Sequence, residues 1–200
     1  MKKIGVLALQ GAFREHVEKI EELGYQAIEV RKSEDLEDID GIILPGGEST
    51  AMGRLLSDFR MKAPLIEKIK SGMPVWGTCA GMILLAKELE DDATVHLGVM
   101  DIVVKRNAYG RQIASFEVDE VIERISDEAI PLVFIRAPYI VALGQEVELI
   151  HSVDGNIVAA RQENMLVTAF HPELTDNKKC HAYFLKIVED FACTQKKKSV

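Results

Sequence analysis

In the run Val75-Trp76-Gly77-Thr78-Cys79-Ala80-Gly81-Met82, a strand-like apolar pattern ends at Gly77 and a helical one begins near Ala80. Cys79 sits at the junction, with a glycine two residues to either side. This spacing predicts a nucleophile elbow, a tight strand-to-helix turn whose small neighbours lift the reactive side chain clear of the backbone. The helix start supplies positive potential and free N–H groups, which favour a thiolate and can hold an oxyanion. A free cysteine is more often a buried, inert side chain. The flanking glycines and the strand–helix junction turn that reading around for Cys79. Cys180 and Cys193 have no such setting and read as structural.

A cysteine nucleophile needs a base, and the chain has five histidines. His171 stands out in Phe170-His171-Pro172-Glu173. Proline pushes its predecessor toward an extended backbone, where side chains two apart share a face, so His171 and Glu173 are expected to point the same way. A carboxylate beside an imidazole fixes its tautomer and stabilises the imidazolium. His-Pro-Glu alone is an ordinary loop tripeptide; it becomes a candidate through the elbow. His16 and His181 fall on predicted helices, while His96 and His151 have no recognisable partner. All four read as structural or solvent-exposed. The run Leu44-Pro45-Gly46-Gly47-Glu48-Ser49-Thr50 ends a strand and opens a helix, with Ser49 as a possible N-cap. Its paired glycines would let backbone N–H groups approach a ligand, and it lacks the lysine and glycine spacing of a phosphate loop.

These segments need a scaffold. Ile4–Leu9 is a continuous apolar run, read as a strand buried on both faces rather than a signal peptide. Phe13, Val17, Ile20 and Leu23 then recur at helical spacing, and strands at Gln26–Val30, Gly41–Leu44 and Met73–Gly77 alternate with helices at Ser49–Phe59, Ala63–Lys70 and Ala80–Leu89. This order predicts an α/β fold: an open, mostly parallel sheet flanked by helices. The second half reads as added antiparallel strands, at Asp101–Lys105, Gln112–Val118, Leu132–Ile135, Val147–Ser152, Ile157–Arg161 and Leu166–Phe170. Asp154-Gly155 marks a hairpin, and a closing helix spans Asn177–Phe191. At 200 residues with no repeat or linker, one domain over 1–200 is expected. A net charge of −8, with Lys196-Lys197-Lys198 as the one basic cluster, argues against nucleic acid or a membrane surface as partner. No apolar stretch approaches a membrane span, and three cysteines without metal-ligand spacing suit a reducing, cytoplasmic setting.

Taken together, the chain resembles the class I (triad) glutamine amidotransferases, whose fold is flavodoxin-like. Within them it is similar to the glutaminase subunits of pyridoxal 5′-phosphate synthases. The resemblance rests on Ile4-Gly5-Val6-Leu7-Ala8-Leu9-Gln10-Gly11, Pro45-Gly46-Gly47-Glu48-Ser49-Thr50, Gly77-Thr78-Cys79-Ala80-Gly81, Arg106-Asn107, Phe134-Ile135-Arg136-Ala137-Pro138 and Phe170-His171-Pro172-Glu173-Leu174. It implies Cys79 as nucleophile with His171 and Glu173 completing a triad, and Gly47, Glu48, Ser49, Arg106, Ile135 and Arg136 around bound L-glutamine. Backbone N–H groups near Gly47 and Ala80 would form the oxyanion hole. An arginine fork suits the substrate carboxylate. The resemblance further implies no metal and no organic cofactor for glutamine hydrolysis. Its implied partner, in a hetero-oligomer, is a separate synthase subunit that receives the ammonia. The Gly46-Gly47 turn is the expected moving part of a synthase-controlled switch, since glycine peptides reorient at little steric cost. Two other readings stay open: the glutaminase of another amidotransferase, such as imidazole glycerol phosphate synthase, or a non-catalytic flavodoxin-like binding protein.

Overall fold

The computed structural model describes residues 2–90, 92–106 and 115–198, with the backbone alone for 195–198. The first half alternates strands and helices: β1 (Lys3–Leu7), α1 (Phe13–Glu22), β2 (Gln26–Val30), a 3-10 turn (Ser33–Leu36), β3 (Gly41–Leu44), α2 (Ser49–Asp58), α3 (Lys62–Lys70), β4 (Val75–Thr78) and α4 (Ala80–Leu85). Then follow β5 (Ala86–Leu89), β6 (Met100–Lys105), β7 (Ser115–Glu120), β8 (Ile130–Ile135), β9 (Tyr139–Leu143), β10 (Glu148–Val153), β11 (Asn156–Gln162) and β12 (Met165–Thr168). A 3-10 turn (Pro172–Leu174) and α5 (Lys179–Lys198) close the chain's described part.

β2-β1-β3-β4-β12 form a parallel sheet, in register through Ile4↔Ala27, Val6↔Ile43, Ile43↔Trp76 and Thr168↔Thr78. Its central strands read as apolar runs because helices cover both faces: Ile4, Val6, Ile42, Leu44, Val75 and Trp76 are all fully buried. The sheet continues from β12 into antiparallel β11 and β9, then β6 and β5, with β10 paired to β11. β10 and β11 join through Asp154 and Gly155, both at positive φ (50° and 78°), as a two-residue type I′ hairpin requires. β7 and β8 make a separate hairpin, with Phe116 stacked on Phe134 across it at 4.5 Å between ring centroids, and Phe134 edge-on to the buried Phe170 of the core at 5.8 Å. No helix of the described residues is long and apolar enough to cross a membrane.

The fold is the α/β arrangement expected, with local corrections. The helix after Cys79 stops at Leu85, and Ala86–Leu89 forms β5 beside β6 instead. All six α4 residues are buried, so no polar face marked the point where the helix ends. β9 was not foreseen; its exposures do not alternate, and it follows Ala137-Pro138 directly. The expected strand at Gln112–Val118 is seen as β7 from Ser115; residues 112–114 lie outside the described residues, as does Asn107.

Candidate active site

The C-terminal ends of β1, β3, β4 and β12 converge on one cleft of about 500 Å³. Ligands of open α/β sheets bind at this end, where strand order reverses, here between β1 and β3. Cys79 follows β4 directly, at φ 47° and ψ −102°, a conformation that non-glycine residues avoid. Such strain costs about 1–3 kcal/mol and persists only where the surroundings over-determine it. The surroundings are visible here. The Cys79 N–H donates to the Thr168 carbonyl at 2.8 Å, tying the elbow to β12, and Gly77 and Gly81 flank it where any Cβ would strike backbone. The thiol is 7% exposed, and its sulfur lies 3.9 Å from the Ile135 carbonyl.

β12 delivers His171. Its N–H donates to the Val133 carbonyl at 2.8 Å, which also pins the β7–β8 hairpin against the site. His171 Nδ1 lies 2.7 Å from Glu173 Oε1. The two side chains meet through the 3-10 turn Pro172–Leu174 and not through the extended segment expected from Pro172; His171 has ψ 82°, and the chain curls at once. Burial alone would lower the pKa of His171. Hydrogen bonds with Cys79 and Glu173, and the charge of both, outweigh it and lift the imidazole to about 10. Glu173 is 3% exposed and lies behind the ring.

The glycine turn after β3 is packed as closely as two glycines permit. A Cβ on Gly46 would lie 2.3 Å from His171 Cε1, and one on Gly47 would lie 2.5 Å from Gln10 Oε1. The Gly46 carbonyl accepts the Ala12 N–H at 3.0 Å, so the trans peptide turns the Gly47 N–H the opposite way. Gln10 Oε1 accepts the Glu48 N–H at 2.8 Å. The N-cap of α2 is Glu48 and not Ser49: its carboxylate accepts the N–H groups of Thr50 and Ala51 at 3.0 and 2.7 Å. Partial burial opposes ionisation of Glu48, but these donors and the Arg106 charge hold its pKa below the ordinary value.

The structure brings every expected site residue except Glu173 to the wall of this cleft: Cys79, His171, Ala80, Gly47, Glu48, Ser49, Arg106, Ile135 and Arg136. The two arginines differ. Arg106 pairs with Asp92 at 2.6 Å and reaches Thr50 Oγ1 at 3.4 Å. Arg136 is exposed, at φ 44°, with no ion-pair partner among the described residues. Sequence reading missed Gln10 and Asp92. Gln10 stood in the opening motif, but nothing local marked it as bracing the glycine turn.

Solved structures share this fold, among them a glutamine amidotransferase. Its crystal structure superposes with a TM-score of 0.88 at 43% identity, covering 93% of this chain and 98% of its own. A putative GMP synthase component from Thermoplasma acidophilum shares the fold at a TM-score of 0.71 and 20% identity, covering 98% of each chain. The profile of the SNO glutamine amidotransferase family matches residues 6–190, and the chain belongs to that family. Among its relatives is the pyridoxal 5′-phosphate synthase subunit PdxT of Carboxydothermus hydrogenoformans, 56% identical over 93% of this chain and 97% of that one. PdxT of Ruminiclostridium cellulolyticum is 53% identical over 94% and 100%.

Proposed function

We propose that this chain, as one glutaminase domain, hydrolyses L-glutamine through a Cys79 thioester and passes the ammonia to the synthase subunit of a pyridoxal 5′-phosphate synthase. The observation that carries the chemistry is the strained Cys79 on one cleft with a His171 whose Nδ1 is 2.7 Å from Glu173. The names of the relatives support the destination of the ammonia.

Cys79 gives its proton to His171 and attacks the amide carbon of the glutamine side chain. The N–H groups of Gly47 and Ala80 hold the oxyanion. As the C–N bond breaks, His171 protonates the departing nitrogen, releasing ammonia and leaving a glutamyl thioester. Part of what raises the His171 pKa is the thiolate beside it. Acylation removes that charge, so the imidazole gives up its proton more readily and can then take one from water. Water attacks the thioester, the C–S bond breaks, and glutamate leaves with the thiol restored. Arg136, without a carboxylate partner among the described residues, grips the α-carboxylate; Arg106, already held by Asp92, shapes the wall. No step calls for a metal or an organic cofactor. Three free cysteines suit work in a reducing cytoplasm.

The synthase acts as partner in a hetero-oligomer and controls the Gly46–Gly47 peptide. Reorienting it breaks one hydrogen bond, from Ala12, a cost of about 0.5–1.5 kcal/mol that docking contacts can offset. The test is glutamate release at saturating glutamine, with purified synthase subunit titrated in. Activity that rises to a plateau at a fixed ratio supports the reading. A flat response, with full activity from the chain alone, overturns the switch.

A further inference from the structure

Behind Glu173 lie two histidines that the chemistry above does not use. His16 on α1 and His181 on α5 are both 0% exposed. His16 Nδ1 is 2.9 Å from His181 Nε2; His16 Nε2 is 3.3 Å from Thr78 Oγ1 and 3.4 Å from Glu173 Oε2. Trp76 packs edge-on against both rings, at centroid distances of 5.7 and 5.0 Å. Glu173 spends one oxygen on His171. Its other oxygen, Oε2, is buried with no partner of full hydrogen-bond geometry among the described residues, and His16 Nε2 is poised beside it. We propose that His16 is a positioning residue for the triad, extending it to Cys79–His171–Glu173–His16, with His181 setting the tautomer from behind.

The tautomer follows from the packing. His181 Nδ1 is buried without a partner among the described residues. A buried N–H left unpaired is rarer and costlier than a bare acceptor, so the His181 proton sits on Nε2 and donates to His16 Nδ1. The His16 proton is then on Nε2, facing Glu173 Oε2 and Thr78 Oγ1. A neutral donor holds the carboxylate in place without cancelling the charge that His171 needs. Burial above all, then the charges of His181 and His171, push the His16 pKa well below 6.5; burial and Lys19 bring His181 to about 3. Both rings are therefore neutral near pH 7. Among the described residues, the other titratable groups acting on this line are Cys79, at His171, and Cys180, pushed up to about 12 by burial and by Glu173.

This inference rests on the glutaminase reading, and wild-type turnover with loss in Cys79→Ala tests that reading separately. In the complex with synthase, His16→Leu should lower kcat by about tenfold to a hundredfold, the scale of a hydrogen bond to a charged group. KM should change less than about threefold, because His16 does not reach the cleft. The limb of kcat/KM set by His171 should move to lower pH, since a displaced Glu173 holds the imidazole pKa up less strongly. A glutamine side chain in place of the imidazole offers an N–H for Glu173 and an oxygen for the His181 N–H, so His16→Gln should recover most of the rate and the limb. Imidazole 15N shifts of the wild-type protein give a reading that needs no variant, and should show His16 protonated on Nε2 alone. A Nδ1-protonated or cationic His16 at pH 7 would overturn the proposal. So would a loss in folded His16→Leu that is equal at every pH, no loss at all, or no recovery in folded His16→Gln.

Discussion

The two walls of the cleft are built on different terms. The parallel-sheet wall carries Cys79, His171 and the Gly46–Gly47 turn on the ends of adjacent strands, cross-tied by backbone hydrogen bonds, with Glu173 behind His171; Cys79, His171 and Glu173 are almost closed to water. The opposite wall comes from the antiparallel half. Arg106 follows β6, while Ile135 ends β8 at 37% exposure and Arg136 stands beyond it. Side chains that move protons must hold tenths of an ångström, and rigid strand ends provide that. Side chains that select a substrate can reorganise, and exposed strand ends suffice. In the proposed reading, chemistry falls to the ends of the parallel strands and recognition to β6 and the separate β7–β8 hairpin.

That comparison is easiest to break on the buried wall. Cys79→Ala should leave the fold intact and cut glutamine hydrolysis by a factor on the order of 10⁶, the scale for losing one member of a catalytic unit. Free ammonia should still feed the synthase. Wild-type-like glutamate release from folded Cys79→Ala would return Cys79 to the inert class. Glu173→Gln keeps shape but loses the charge on His171, and turnover should fall by about 10²–10⁴ with little change in glutamine affinity. Gly46→Ala should cost about 10²–10³, because its methyl group would displace the His171 ring and with it the oxyanion turn. Single-turnover kinetics would separate that loss from weaker binding.

How much of this was legible in the sequence follows the same division. β1, β3, β4 and the elbow announce themselves as apolar runs closed by glycine, because burial on both faces leaves no room for polar residues. His171 and Glu173 were expected to share a face, and their side chains do meet, though through a 3-10 turn and not an extended segment. What stayed hidden was non-local. His16 lies on an amphipathic helix where a buried imidazole looks like any polar position, and its partners Thr78, Glu173 and His181 are distant in sequence. The Asp92–Arg106 pair likewise depends on the chain returning through β6. β9 and β5 escaped because one is half exposed and the other continues a helical-looking run.

On the recognition wall the effects should be smaller and of another kind. Arg136→Ala should raise KM by about tenfold to a hundredfold while kcat moves little, the scale of a charged hydrogen bond. Arg106→Ala should do less to KM, since Asp92 already shares its charge. Equal effects on kcat and KM at Arg136 would merge the two walls.

The smallest effects concern stability. The folded pKa of His171, about 10, exceeds the ordinary 6.5, so its contribution is full below about 6.5 and fades as pH rises toward 10. His181 behaves oppositely. Burial first, with Lys19, sets it at about 3, so the unfolded chain binds the proton first and stability drops as pH falls from 6.5 toward 3. Melting temperatures across pH should therefore fall on both sides, and His181→Gln should flatten the acid side alone. An unchanged acid slope in that variant would contradict a neutral, buried His181.

The central claim, that Cys79 is acylated by glutamine, is tested most directly by acid-quenching the glutamine-saturated complex and mapping the adduct by peptide mass spectrometry. The account predicts a glutamyl thioester on the peptide bearing Cys79, absent in Cys79→Ala, with Cys180 and Cys193 unmodified. An adduct on another residue, or rapid glutamate formation in Cys79→Ala with no adduct at all, would contradict it.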